Sequence, residues 1–174
     1  EEGVVLKTLG EVCKFLSKSK RPAKYGKTHG TYPFFTSSKL KNKKYVDKPD
    51  YEEESLIIGD GGEPNINYEI KFAASDHCYV LQNKNKQKVN LKYVYYYYFY
   101  NLHAVDKLYT GIAIRNISKT DILNIKIPIP SFERQTEIVE YLNSVDEKNK
   151  QMEKEIENNK KQSQQFIKNI NLKK

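Results

Sequence analysis

The chain has 174 residues, near the size of one domain or of one domain with an appendage, so two independent catalytic domains are not expected. Its 30 basic residues exceed 22 acidic ones for a formal charge of +8. With 38% apolar and 12% aromatic residues it can build a core, and its charge favours an anionic partner over a hydrocarbon one. No run approaches the roughly 18–20 apolar residues of a membrane span, and Glu1-Glu2 is the wrong flank for a secretory signal. Cys13 and Cys78 alone make no disulfide framework. The expectation is a soluble protein of the reducing cytoplasm, and the lack of an initial Met points to a fragment or a processed chain.

In chain order, Val4 to Leu9 reads as extended. A basic stretch from Lys14 to Lys48 follows, with eleven Lys and Arg residues against the single acid Asp47. Its interleaved rings, Tyr25, His29, Tyr32, Phe34 and Tyr45, favour nucleic acid over a merely solvated loop, because rings can stack or wedge. Thr31 to Phe35 is extended. Ser55 to Ile58 is a short apolar strand stopped by the glycine turn Gly59 to Gly62, and Ile70 to Leu81 alternates loosely. These strands are expected in one sheet. Val89 to Leu102 carries Leu91, Val94, Tyr95, Tyr98 and Leu102 at helical spacing. Its tyrosine cluster, Tyr95 to Tyr98, suits helix surface and core better than a stacking platform, since neighbours on a helix point different ways. After Ile112 to Ile114 come a short helix opened by Ser118 or Thr120 and a strand from Ile125 to Ile129, ended by Pro128 and Pro130. The fold class is therefore α+β, with a globular mixed-sheet domain over residues 1–130.

From Ser131 to the end no Gly or Pro interrupts the chain, and 9 basic residues nearly balance 8 acidic ones, against 21 and 14 in residues 1–130. Ser131 can cap a helix whose positive end suits Glu133 and Glu137. Steps of four and three residues then mark Ile138, Leu142, Val145, Asn149, Met152, Ile156, Asn159, Ser163, Phe166 and Ile170 as a coiled-coil seam over residues 131–174. About 40 residues at about 1.5 Å each make a rod of about 60 Å. Such a helix alone is marginal in water and calls for a partner, although folding back on its own domain is the other way to cover it.

Several segments together resemble the DNA-specificity subunit of type I restriction-modification systems. They are Leu9-Gly10-Glu11-Val12, Gly30-Thr31-Tyr32-Pro33-Phe34, Leu56-Ile57-Ile58, Gly111 to Ile117 and, most specifically, IPIPSFERQTEIVEYLN at 127–143 with Gln135, Ile138 and Val139 in the family's places. A family member usually carries two target recognition domains and two helical spacers, and this chain resembles one of each. The resemblance implies a subunit without catalytic activity of its own, which reads one part of a split duplex sequence and whose spacer helix docks methyltransferase subunits and, through them, the restriction subunit. S-adenosylmethionine would belong to the partner methyltransferase, with no cofactor in this chain. Two copies could pair their helices antiparallel as a homodimer. A rod longer than one duplex turn, about 34–36 Å, would let two heads reach half-sites about a turn apart.

For that reader, Lys20, Arg21, Lys24, Lys27, Lys39, Lys41, Lys43 and Lys44 are the phosphate candidates. Thr36, Ser37, Ser38, Asn65, Asn67, Tyr68, Arg115 and Asn116 are the candidates for base edges. The glycine turn could bring backbone close to a phosphate or simply connect two strands. Asn65 and Asn67 could be turn residues, and Arg115 could instead form an internal ion pair. Other chemistries have thinner support. Asp50, Glu69 and Lys71 match a loose metal-dependent nuclease pattern. Cys13, His29, His77 and Cys78 lack zinc-ligand spacing. A stand-alone dimeric DNA-binding protein would explain the charge and the heptads equally well.

Overall fold

The computed structural model describes residues 3–38 and 43–171 of the chain. It is α+β and divides into two units, Glu1–Thr136 and Glu137–Lys174. In chain order the elements are β1 (Val5–Thr8), α1 (Leu9–Val12), β2 (Cys13–Phe15), β3 (Tyr32–Phe35), β4 (Lys44–Val46), β5 (Ser55–Gly59), β6 (Ile66–Glu69), β7 (Ala73–Ala74) and β8 (Cys78–Asn83). They continue with α2 (Leu91–Tyr100), α3 (Leu102–Asp106), α4 (Lys119–Leu123), β9 (Lys126–Ile129) and α5 (Phe132–Asn171).

The strands form three sheets where the sequence suggests one. β1 pairs with β9, β2-β8-β5-β6 make a four-stranded sheet, and β4-β3-β7 a three-stranded one. The difference arises from long-range pairing, since β1 finds its partner at Leu6↔Pro128 across most of the chain. The expected strand over Ile70 to Leu81 is broken for a local reason. Ser75 turns the chain, its hydroxyl accepting from His77 N at 3.3 Å and its carbonyl from Cys78 N at 3.1 Å, so β7 and β8 fall in different sheets. The helix expected from Val89 to Leu102 is shorter, because Asn90 caps α2 through Lys92 N and Tyr93 N, and Leu102 opens α3.

β5 lies inside the four-stranded sheet and is buried along its length. Alternation sends Ile57 and Val80 to one face, where they pack with Phe72, Ala74 and Cys78. Leu56, Ile58 and Leu81 take the other face, towards α2, whose Leu91, Tyr93, Val94, Tyr96 and Tyr98 are buried. The tyrosine cluster thus supplies core as well as surface. Burying five such side chains stabilises the unit by roughly 1.5–3 kcal/mol each before entropy is counted.

Gln135, in the first turn of α5, is fully buried. Its Oε1 accepts from Asn90 N at 2.8 Å, while Nε2 donates to Pro130 O at 2.9 Å and Lys88 O at 3.1 Å. One amide therefore satisfies backbone groups of two neighbouring segments and ties the root of α5 to the cap of α2. Residues up to Thr136 accordingly belong to the globular unit. A Gln135→Leu chain keeps the volume and orphans these groups, so it should lose about 2–3 kcal/mol of stability in denaturant titration. An unchanged midpoint would remove this role from Gln135.

Candidate nucleic-acid interface

Three segments meet at one end of β5. The first is 36–38, leaving β3; the second is the 59–65 connection between β5 and β6; the third is the loop 110–116. A close approach at Gly59 makes the meeting possible, since a Cβ there would stand 2.6 Å from Ser37 O and 2.7 Å from Asn65 Nδ2. Asn65 is buried, and its amide donates to Ser37 O and, at 3.2 Å, to Glu63 O. Thr36 is buried as well, with Oγ1 3.4 Å from Ser38 O. Ser37 is half-buried and Ser38 exposed. Gly62, at φ +80°, allows the turn to close.

The third segment is held to the second by backbone. Gly62 N donates to Arg115 O at 2.8 Å, Ile117 N to Asp60 O at 3.0 Å, and Thr110 and Asn116 exchange two bonds of 2.9 Å. Arg115 donates to Asp106 Oδ1 at 2.9 Å, to Asp106 O at 2.5 Å and to Tyr109 O at 3.1 Å, so its guanidinium braces the loop. Asn116 is exposed beside Gly61, its amide 3.3 Å from Ile114 O. The phenol of Tyr109, whose pKa burial raises, donates to Gly59 O at 2.7 Å and completes the junction. Tyr109 and Asp106 were missed in the sequence because neither lies in a polar run or a motif.

Asn67 and Tyr68 lie elsewhere. They follow β6 away from the junction, towards the acidic end of the hairpin, where Tyr68 donates to Glu54 at 2.9 Å. Burial, and then the Glu54 carboxylate, push the Tyr68 phenol above its ordinary range. The basic candidates gather around the three-stranded sheet. Lys20, Lys24 and Lys43 are exposed. Lys44 reaches Ala23 O at 3.1 Å, and Lys27 pairs with Asp47 at 2.8 Å, which raises its pKa. Arg21 pairs with Asp50 at 2.5 Å and lies 4.3 Å over the Tyr25 ring. Lys39 and Lys41 lie outside the described residues, in the connection from Ser38 to Lys43.

The competing sites do not assemble in this way. The Asp50 carboxylate is engaged by Arg21, and Glu69 Oε1 accepts from Ile70 N at 2.9 Å. Among the described residues no three His, Cys, Asp or Glu side chains gather as a metal site would need. Cys13 and Cys78 sit at opposite ends of β8, opposite Asn83 and within the strand respectively. Burial pushes their thiols up to about 12 and about 11, which leaves them protonated and unreactive at neutral pH.

A mixed α+β unit whose loops converge at one sheet end beside a cationic surface, followed by a long polar helix, is the build of a recognition module. Residues 1–162 match the family model of the type I restriction modification DNA specificity domain, and the chain belongs to that family, one of recognition subunits without catalysis of their own. It is 27% identical over 146 residues to a Haemophilus influenzae protein assigned as a type I restriction enzyme specificity subunit, covering 80% of this chain and 36% of that protein. Its fold is similar to the crystal structure of the type I restriction-modification S subunit from M. genitalium, at TM-score 0.72 and 20% identity over 83% of this chain and 39% of that one. It is also similar to the HsdS subunit of Thermoanaerobacter tengcongensis, at TM-score 0.58 and 21% identity over 84% and 38%. The chain thus spans well under half the length of these relatives.

Replacing Tyr109 by Phe removes the bond to Gly59 O and leaves a buried acceptor. The expected cost is about 1–3 kcal/mol, with faster hydrogen exchange at the amides of Thr110 and Asn116. Exchange rates equal to wild type would mean that the junction does not depend on Tyr109.

Proposed function

We propose that this chain reads one part of a split duplex sequence for a type I restriction-modification complex, while its helix recruits methyltransferase subunits and, through them, the restriction subunit. The observation that carries the reading is the convergence of segments 36–38, 59–65 and 110–116 around the glycine turn Gly59 to Gly62 in a chain of the DNA-specificity family. In this account Ser37, Ser38 and Asn116 address base edges, while Thr36, Asn65 and Arg115 fix the backbone that carries them. Lys20, Arg21, Lys24, Lys27, Lys43 and Lys44, with Lys39 and Lys41 between them in sequence, supply attraction to phosphate. Asn67 and Tyr68, which follow β6 towards Glu54, take no part in this surface.

The helix is the protein-binding arm. α5 runs 40 residues, about 60 Å, and Met152, Ile156, Phe166 and Ile170 on its seam are each more than half exposed. Ile138, Leu142, Val145 and Asn149 continue the same seam. Two copies pairing antiparallel would cover it and set two readers apart, with S-adenosylmethionine held by the methyltransferase. Among the described residues no helix is long and apolar enough to cross a membrane.

Mixing the chain with a modification methyltransferase and S-adenosylmethionine should methylate adenine at a split sequence, whereas the methyltransferase alone should not. Methylation that ignores the chain, or duplex cleavage by the chain unaided, would contradict the reading. Charge reversal by Lys20→Glu with Lys43→Glu should weaken binding to all duplexes alike and reduce the salt slope by about 0.9 for each phosphate no longer neutralised. A change confined to one sequence would reverse the assignment of roles.

A further inference from the structure

The loop between Gly111 and Arg115 carries an apolar tip that half-site reading does not use. Ile112 stands in full solvent, at 107% of its reference exposure, and Ile114 is 71% exposed. Two branched apolar side chains in water are an unfavourable choice where polar residues would close the same loop. Nor is the tip carried on a slack segment. The Thr110–Asn116 backbone pair, the Gly62 N–Arg115 O bond and the Arg115 guanidinium on Asp106 and Tyr109 hold the stem from three sides. Gly111, at φ +133°, makes a turn that a side chain would strain.

The surroundings of the tip identify its occupant. Its neighbours are Thr110, Asn116, Gly61 and Gly62, polar groups or bare backbone, where a protein partner covering two isoleucines would be expected to meet further apolar surface. Ser37 and Asn65 adjoin the same glycine turn, and exposed Lys107 and Lys119 flank the loop in sequence. A rigid apolar point among hydrogen-bonding groups, on a chain of the DNA-specificity family, fits a duplex, in which apolar side chains enter a base step and partly unstack it. We propose that Ile112, supported by Ile114, is a wedge that enters a base step of the bound duplex and kinks it. This rests on the half-site reading and adds a deformation of the DNA to it.

The full chain is used to select sequences from a randomised duplex pool, and the enriched duplex of about 30 base pairs is labelled at both ends for energy transfer. Wild type should shorten the end-to-end distance as a kink of about 20–90° does. Ile112→Ser with Ile114→Ser should bind at least about tenfold more weakly and leave the duplex straight, while Ile112→Leu should keep both properties. The substituted side chains are solvated, so the thermal midpoints should agree. Equal affinity and equal bending by the serine chain would overturn the wedge and leave the half-site reading standing. Undiminished DNA binding with loss of methyltransferase capture would give the loop to a protein partner and also overturn it. A wild-type chain that enriches no sequence overturns the half-site reading, and the wedge with it.

Discussion

Two segments from distant parts of the chain meet over a single α-carbon, which they can do only because residue 59 is glycine, and a third is tied to them through the turn that follows it. Ser37 O and Asn65 Nδ2 occupy the volume that a side chain would fill, while the Gly59 carbonyl takes the Tyr109 phenol. The contact lies at the end of β5, a strand buried throughout, so the meeting point inherits the rigidity of the core. From it the two neighbouring loops are tied in turn, Asn65 to Ser37 and Gly62 to Arg115. Buried polar side chains here hold backbone, and exposed ones are left at the rim. That is the arrangement a recognition surface needs, because groups that must select a partner have to be positioned before it arrives.

The same division governs the chain as a whole. Excess positive charge sits in the globular unit, whereas the helix is nearly neutral, with its ion pairs, such as Lys150–Glu147 and Lys161–Glu157, formed along its own surface. Charge attracts nucleic acid over a Debye length of about 8–10 Å, and an apolar seam with polar interruptions selects a protein. In the proposed function the two kinds of surface therefore lie on different units.

What the sequence made legible was local. The apolar run Leu56 to Ile58 ahead of a glycine turn marked strand β5 and its end, Ser118 and Ser131 capped the helices they precede, and the unbroken stretch after Pro130 marked α5. The partition into three sheets was not legible, because β1 pairs with β9 and β2 with β8 across long sequence gaps, and β2 and β4 are three residues each. Gln135 stood out in the sequence only as a place in the family motif, and the fold makes it a buried clamp whose desolvation three backbone partners offset. At the candidate interface, chemistry was readable and allocation was not. Segments 36–38, 59–65 and 115–116 were marked in the sequence, but only the fold separates Asn65 and Arg115, engaged inside, from Ser38 and Asn116 at the rim, and sets Tyr68 against Glu54 instead.

The most direct measurement of the central claim is a map of methylated adenines produced by the assembled complex, with the chain unchanged and with Asn116→Ala. The account predicts a split pattern that relaxes at the bases facing Asn116 and is preserved elsewhere. A pattern identical for both chains would contradict it, because the junction over Gly59 would then not be what reads the sequence.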